Sequence, residues 1–232
     1  MTIPSGVTSI ASSAFEDCSS LKSVTIPSGV TTIGDGAFAN CSSLTSVYIG
    51  NSVTSIGSSA FYNCSGLTTV NISDLAAWCK INFGSASNNP LYYAHHLFLN
   101  GEEITDLVIP SNVEYINNYA FYNCTGLTSL SIPSSVTSIG FGYYGDNAFY
   151  GCSNLATITV DENNSKYDSR DNCNAIIEKE SNKLIYGCKN TVIPSSVTNI
   201  DKYAFKGCSA LSSIYIPGSL KQSIYFDFGG CI

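Results

Sequence analysis

A unit of 23 residues is repeated along this 232-residue chain almost without change. The first copy runs from Ile3 to Thr25 and reads I-P-S-G-V-T-S-I-A-S-S-A-F-E-D-C-S-S-L-K-S-V-T. Close copies begin at five later isoleucines, which are Ile26, Ile49, Ile109, Ile132 and Ile193. A fixed period of this length is typical of stacked supersecondary units that contact only their neighbours. The repeat therefore predicts a solenoid, and it constrains the fold far more than the chemistry.

Each apolar position of the repeat has a structural role. In the first copy the recurring apolar residues are Ile3, Val7, Ile10, Phe15, Cys18 and Leu21. The end of Leu21-x-x-Val24-x-Ile26 alternates as a half-buried strand does, and the proline that follows ends the hydrogen-bond ladder. The β-rich stretch from Val7 to Ile10 predicts a second short strand, and Ala14-Phe15 predicts a tight turn or one helical turn.

The charge balance excludes some partners. Charged residues make up only 12% of the chain, and the net charge is −7 with 10 Lys and Arg. An acidic chain without a basic cluster argues against nucleic acid, because binding it requires neutralised phosphates. The chain has no apolar run of about 18 residues, so we expect no membrane span. Met1 directly precedes the middle of a repeat, so we interpret the chain as a piece of a larger protein.

The pattern L-x-x-V-x-I-P followed by A-F-x-x-C resembles the BspA-like leucine-rich repeats of bacterial surface proteins, also called type-5 leucine-rich repeats. The resemblance covers nearly the whole chain, with six copies close to consensus. It implies a right-handed, curved β-solenoid with a concave strand face. It also implies an exported cell-surface protein that adheres to host matrix proteins or to other cells.

The repeat is interrupted three times. Successive copies start 23, 23, 23, 37, 23, 28, 33 and 23 residues apart, which gives about nine coils with inserts at 73–108, 140–145 and 161–192. Insertions in a solenoid form loops, often on a binding face. We therefore predict a β-rich solenoid with two inserted hairpins and little helix, as one domain over 1–232.

The first insert contains two recognisable signals. Ser73 is the expected N-cap of a short helix that ends near Cys79, and Cys79 falls where other coils place Ile, which predicts a core position. Asn100-Gly101 is a strong hairpin signal between two β-rich runs.

The other two inserts differ in character. The glycine-rich and aromatic stretch Gly140–Gly145 should bulge outward. In the third insert, the runs beginning at Ala175 and Lys183 predict a second hairpin. We expect both hairpins to project from the regular coils.

The chain has ten cysteines, and most follow the repeat. Cysteines at equivalent positions of successive coils have parallel side chains, which do not meet disulfide geometry, so we expect reduced core residues. Cys173 and Cys188 flank the second hairpin, which leaves open whether they pair. Cys231 near the chain end is expected to be free. The spacing fits no metal site, and we predict no cofactor.

Catalytic signals are weak. His95 and His96 are the only histidines, and neighbours on a strand point to opposite faces, which is poor geometry for a shared metal. The sequence Asp161-x-Asn163-x-Ser165 lacks the glycine and distal Glu of a calcium loop, so we interpret it as a solvated turn. The glycosylation sequons are consequences of the repeat, as in Asn63-Cys64-Ser65. We therefore predict that the chain is not an enzyme.

The candidate binding residues are outward positions of the predicted concave strands and of the aromatic insert. A Ser/Thr surface with scattered Tyr is typical of adaptable recognition surfaces, although Tyr is also a good strand former. The candidates are Ser46, Tyr48, Thr69, Ser129, Tyr143, Tyr144, Thr157 and Tyr215.

Three functional hypotheses remain. The first is a non-catalytic extracellular or cell-surface module that binds a protein or glycan. The second is an intracellular or periplasmic scaffold that uses the same face. The third is an enzyme with a site near Tyr93 and His95. Independently of function, the consensus-type first coil should expose apolar surface and unpaired backbone, which predicts edge-to-edge self-association.

Overall fold

The structure, a computed structural model, describes residues 1–140 and 147–220 of the chain. The first copies of the repeat stack as regular coils. Each coil has a two-residue strand and, after the Ala-Phe corner of the same coil, a four-residue strand. In chain order these strands are β1 (Ser9–Ile10), β2 (Ser23–Ile26), β3 (Thr32–Ile33), β4 (Ser46–Ile49), β5 (Ser55–Ile56) and β6 (Thr69–Ile72).

The coils stack with an offset equal to the repeat length. In the parallel sheet β2–β4–β6, Ser23 pairs with Ser46 and Ser46 pairs with Thr69. The short strands pair in the same way, with Ser9 opposite Thr32 in the parallel sheet β1–β3–β5. Because paired residues occupy the same repeat position, like side chains lie above one another along the stack.

The Ala-Phe corner between the two strands is a tight turn and not a helical turn. In the second coil the Cys41 N–H donates to the Phe38 carbonyl oxygen at 3.3 Å. The Phe38 N–H donates instead to Ala60 of the next coil at 2.8 Å. The corner backbone thus bonds both within a coil and between coils, which ties the stack together.

The first insert replaces a consensus coil with short helices and a hairpin. Its elements are α1 (Leu75–Cys79), a 3-10 segment (Ala86–Asn88), α2 (Leu91–Ala94), β7 (Leu97–Leu99) and β8 (Glu102–Glu103). The predicted hairpin is confirmed, because β7 and β8 are antiparallel and their turn residues Asn100 and Gly101 have φ values of 52° and 92°.

The expected cap of α1 was wrong by one residue. Asp74, not Ser73, is the N-cap, and its Oδ1 accepts a hydrogen bond from the Ala77 N–H at 3.0 Å. Cys79 is fully buried, as predicted.

Regular coils resume after the insert. Their strands are β9 (Asp106–Val108), β10 (Tyr115–Ile116), β11 (Ser129–Ile132), β12 (Ser138–Ile139) and β13 (Thr157–Val160). The longer strands form the parallel sheet β9–β11–β13, and the short strands β10 and β12 pair in parallel.

The third insert also forms the predicted hairpin. The remaining elements are β14 (Tyr167–Asp168), a 3-10 segment (Arg170–Asn172), β15 (Ala175–Glu178), β16 (Lys183–Gly187) and β17 (Asn199–Ile200). Strands β15 and β16 pair antiparallel, and β16 also pairs in parallel with β17.

The expectation that both hairpins project from the coils was wrong. β7 pairs in parallel with β6, and only the two exposed residues of β8 lie outside the regular pattern. β15 and β16 are mostly buried and pair with the following coil through β17. Their apolar side chains fill the core that a consensus coil would fill, so burial draws the strands into the stack.

The core consists of ladders of identical residues. The Phe38 ring stacks on Phe15 and on Phe61, with centroids 5.3 and 5.4 Å apart. The Cys64 thiol donates to the Phe38 carbonyl oxygen at 3.1 Å. Cys18 departs from the expected buried ladder and is exposed, because none of the coils in the described residues covers it.

The β-solenoid class with little helix is confirmed, but the count of nine coils was too high. The solenoid makes about six turns. That count treated Ile72, Val160 and Ile216 as starts of full coils. The chain enters the first and third inserts after Ile72 and Val160, and after Ile216 only the residues up to 220 are described. Six Ala-Phe corners mark the consensus turns, at Phe15, Phe38, Phe61, Phe121, Phe149 and Phe205.

Candidate binding surfaces

The long-strand face is the outward surface of β2, β4, β6, β7, β9, β11 and β13. Alternation along each strand creates it, as in β4, where Val47 and Ile49 are buried and Ser46 and Tyr48 are half-buried and point outward. Parallel pairing then aligns the outward residues into columns. The face therefore consists of two columns, formed by the first and third residues of each four-residue strand, such as Ser46 and Tyr48 in β4.

Four of the predicted binding residues lie in one column of this face, two before the first insert and two after it. Ser46 lies beside Thr69, and beyond the first insert Ser129 lies beside Thr157. Ser129 Oγ donates to the Asp106 carboxylate at 2.7 Å. This column presents short polar side chains, as the sequence predicted.

The second column contains the aromatic residues of the face. Paired residues place Tyr48 beside Asn71 and Asn71 beside Phe98. Across the hairpin Phe98 lies opposite Glu103, and further along Val108 is 64% exposed. The sequence pointed only to Tyr48, because Phe98 and Val108 lie in or beside an insert whose register the repeat does not define.

The face is interrupted where β8 ends the first sheet and β9 begins the second. A cleft of about 370 Å³ lies at this junction. It is lined by Leu75, Leu99, Glu102, Glu103, Ile104, Thr105, Asp106 and Val108. The junction therefore combines carboxylates with aliphatic walls beside the aromatic column.

The electrostatic environment of the junction is acidic. Residues 1–140 contain eight Asp and Glu, but Lys22 and Lys80 are their only Lys or Arg. The Glu103 carboxylate contacts His96, with Oε1 2.6 Å from Nδ1, and the His96 side chain is 44% exposed. Within residues 1–140, two lysines therefore offset only a small part of the negative charge of the eight carboxylates.

The remaining predicted binding residues are not part of a described strand. Tyr215 is 77% exposed but lies outside any strand, because the segment around it has no ladder partner among the described residues. The expectation that Tyr215 is a strand residue was therefore wrong. Tyr143 and Tyr144, with the predicted bulge, lie outside the described residues.

The two histidines have separate environments. We expected His95 to lie on a strand, but it is the C-cap of α2 and has a left-handed φ of 61°. Its Nδ1 is 3.3 Å from the Asn123 carbonyl oxygen. Tyr93 accepts a hydrogen bond from the Asn63 N–H at 2.9 Å through its hydroxyl. Both side chains of the hypothetical enzyme site thus contact main-chain groups of neighbouring coils.

The buried thiols are poor nucleophiles. Burial raises the pKa of Cys64, Cys79 and Cys124 to about 12, compared with an ordinary value of 9.0. The thiolate is the reactive form of cysteine, so these groups are unreactive near neutral pH. Cys173 and Cys188 are both free thiols, and each contacts a backbone carbonyl.

The turn at Asp161 agrees with its interpretation as an ordinary turn. The Asp161 Oδ1 accepts from the Asn163 N–H at 2.8 Å. Over residues 1–140 and 147–220, no three His, Cys, Asp or Glu side chains are grouped so as to hold a metal ion. Within the same ranges, no helix is both long and apolar enough to cross a membrane.

Comparisons with known proteins agree with the fold. A leucine-rich cell surface protein from Faecalibacterium prausnitzii A2-165 is 29% identical with a TM-score of 0.57, over 94% of this chain and 63% of that one. A leucine-rich repeat protein from Eubacterium ventriosum ATCC 27560 is 26% identical with a TM-score of 0.52, over 86% of this chain and 49% of that one. This chain thus spans less than two thirds of either protein. A comparison with curated proteins found no match.

The repeat itself matches a family profile over most of the chain. The profile is the BspA type leucine rich repeat region, and its six copies match residues 1–89, 92–174 and 175–232. Repeats of this family commonly occur in bacterial surface proteins, and leucine-rich repeat proteins are typically non-catalytic. With the ladder core and strand register described above, this match shows that the chain belongs to the BspA-type leucine-rich repeat family.

Proposed function

We propose that this chain is a non-catalytic binding module of an exported bacterial surface protein, and that its long-strand face binds an extracellular protein. The aligned column Tyr48, Asn71 and Phe98, which continues towards Val108, is the observation that supports this proposal. Tyr48 and Phe98 are half-buried and point outward, and aromatic side chains supply large contact area at low entropic cost. Among short Ser and Thr residues they form a broad surface suited to adhesion.

The acidic junction specifies the partner further. Glu102, Glu103 and Asp106 line the cleft beside the aromatic column, and few basic residues offset them in this half of the chain. Complementary charge raises association rates and suppresses partners of like charge. The favoured partner therefore presents a basic patch, and its binding should weaken as salt screens the charges.

Surface plasmon resonance tests this function with fibronectin, fibrinogen and glycans as immobilised candidates. The wild-type chain should bind at least one protein, and the double variant Tyr48→Ser/Phe98→Ser should lose at least tenfold in affinity. Thr159→Ala, a small outward change near the far end of the same face, is the matched control. Folded wild-type chain that binds none of the proteins, or a double variant that binds as well as wild type, would count against the proposal.

We further propose that this chain associates edge to edge through its first coil. Ala14 and Cys18 are exposed and Phe15 is half-buried, whereas Ala37, Cys41 and Phe38 are fully buried in the second coil. Sedimentation should show concentration-dependent oligomers that Ala14→Glu abolishes and that Ser42→Glu, an exposed charge away from the edge, leaves intact. A monomer at millimolar concentration contradicts this.

A further inference from the structure

One position of the repeat, two residues after the corner Phe, always has a left-handed backbone. Its occupants are Asp17, Asn40, Asn63, Asn123, Gly151 and Gly207, with φ between 56° and 80°. Asn, Asp and Gly are the residues that tolerate this conformation. The backbone therefore permits a short amide or carboxylate side chain or no side chain, and the chain uses all three.

In the N-terminal coils this position forms a ladder of side chains. Asn40 Nδ2 donates to Asp17 Oδ1 at 2.9 Å, and Asn63 Nδ2 donates to Asn40 Oδ1 at 3.1 Å. Each side chain thus satisfies its neighbour and fills the surface between adjacent corners.

The hydrogen-bonded ladder ends at Asn63, where the first insert follows. Asn123 occupies the same repeat position beyond the insert, and the next two corners carry glycine there. A Cβ atom at Gly151 would lie 2.1 Å from Asn123 Oδ1, so the present Asn123 conformation requires the missing side chain. Within residues 1–140 and 147–220, the Asn123 side-chain amide makes no hydrogen bond, in contrast to Asn40 and Asn63.

A pocket of about 280 Å³ occupies the space that the glycines leave. This ladder-end pocket is lined by His95, Asn123, Thr125, Tyr150, Gly151, Ser153, Gly207 and Ser209. The first insert supplies His95, and three successive corners supply the rest. The pocket is shallow and open to solvent, and its volume lies just below the usual range for small-molecule sites. A ligand the size of one sugar ring would fit it.

The chemistry of the lining selects a class of ligand. It offers three aliphatic hydroxyls, a phenol, an amide and an imidazole, and it includes no carboxylate, ammonium or aliphatic side chain. The Lys206 ammonium lies over the Tyr150 ring, 5.4 Å from its centroid, but Lys206 does not line the pocket. A cation would find no carboxylate among the lining residues, and an apolar side chain would find no apolar wall. Hydroxyl and amide groups suit a neutral polyhydroxylated ligand, because each can donate and accept hydrogen bonds.

An aromatic row extends from the pocket. The Tyr150 ring stacks on Tyr122 with centroids 4.9 Å apart, and Tyr122 stacks on Tyr92 at 6.1 Å. Tyr122 itself is buried, at 9% exposure, so the exposed members of the row are Tyr92, at 39%, and Tyr62, at 55%, which occupies the same repeat position as Tyr122. We propose that the ladder-end pocket binds a neutral sugar unit of a glycan, whose neighbouring units lie along this tyrosine row.

This site is separate from the long-strand face, so it can be tested independently of the proposed protein binding. Gly151→Asn restores the consensus residue, continues the amide ladder and fills the pocket. Asn123→Ala removes the unpaired amide and serves as a second variant if Gly151→Asn fails to fold. Asn40→Ala removes a ladder amide outside the pocket and is the matched control.

The experiment is binding to an array of immobilised neutral mono- and oligosaccharides, followed by NMR titration with the best sugar. Wild type and Asn40→Ala should bind, whereas Gly151→Asn and Asn123→Ala should bind at least tenfold more weakly. Tyr48→Ser/Phe98→Ser should bind sugar normally. No wild-type binding at millimolar sugar, or full binding by folded Gly151→Asn or Asn123→Ala, would overturn the inference without touching the protein-binding proposal.

Discussion

The regular stack of residues 3–72 and the first insert, 73–108, make adjoining parts of the same solenoid by different means. In the stack, Phe38 contacts Phe15 and Phe61 in the same geometry, so each core contact is duplicated above and below. In the insert, the Trp78 Nε1–H donates to the Ala120 carbonyl oxygen at 2.8 Å, and the Trp78 ring meets Phe83 edge-on at 5.2 Å. These contacts occur once.

The difference shows how a solenoid accommodates foreign sequence. A repeated coil is held by many equivalent contacts, and each contributes little that its neighbour does not also provide. An insert must pack against the coils on both sides, and a few large side chains such as Trp78 make these contacts. The insert should therefore depend on single residues, while the regular stack should distribute its stability.

Trp78→Ala should have the largest effect. Truncating the fully buried Trp78 leaves a cavity, and the Ala120 carbonyl oxygen keeps only the longer hydrogen bond from Asn89 Nδ2, at 3.4 Å. We therefore expect a loss of about 3–5 kcal/mol in the free energy of unfolding. Urea denaturation measures it, with the comparable truncation Phe38→Ala as the stack control, which is expected to cost less. Equal losses in both variants would show that the insert is no more dependent on single residues than the stack.

Thiol reactivity sharpens the comparison within the stack. At pH 8 a thiol of pKa about 12 has roughly a thousandfold less thiolate than one at the ordinary 9.0, and it is also inaccessible. Alkylation followed by peptide mass spectrometry should therefore modify exposed Cys18 quickly and Cys64 only after unfolding. Reaction at Cys64 should rise as pH rises towards 12. Rapid native labelling of Cys64 at pH 8 would be incompatible with the ladder.

Asp74→Ala should have a moderate effect confined to the insert. It removes the side-chain acceptor for the Ala77 N–H at the start of α1, and loss of an N-cap costs about 1 kcal/mol. Ser73→Ala is the matched control, since Ser73 does not cap the helix. The urea midpoints of the two variants test which residue caps α1. A larger shift for Ser73→Ala would show that Ser73, the residue expected from the sequence, is the N-cap.

Glu103→Gln should have the smallest effect on stability. The His96–Glu103 contact joins two partly exposed side chains, and such pairs contribute about 0–1 kcal/mol. The midpoint should therefore hardly move, while affinity for a basic partner should fall. A loss of several kcal/mol would mean that this contact supports the insert as Trp78 does.

The repeat predicted the regular part of the fold well, since a constant period defines both the strand positions and their register. It also located both hairpins, because Asn100-Gly101 and the β-rich runs are local signals. It failed where the outcome depended on burial: both hairpins joined the stack, and His95 ended a helix. Among the binding candidates, Ser46, Tyr48, Thr69, Ser129 and Thr157 lie on strands as predicted, although their role in binding is still a prediction.

The residues that the sequence reasoning missed divide into two kinds. Phe98 and Val108 came from an insert, and only pairing with β6 and the interruption at β9 defined which way they faced. The change from Asn123 to Gly151 and Gly207 was visible in the aligned copies. Its meaning required the knowledge that this position forms a ladder, because a missing side chain matters only where its neighbours would have contacted it.

The sequence by itself determined the solenoid, its period and its core ladders, because each coil repeats the same apolar positions and needs only an identical neighbour to bury them. The tertiary structure alone decided how the inserts join the stack, where the long-strand face is interrupted and where a pocket opens. Those features arise from contacts between unlike segments, such as Trp78 with Ala120 or Asn123 with the space beside Gly151. No local periodicity encodes such contacts, since they depend on which surfaces remain unfilled after the coils have packed.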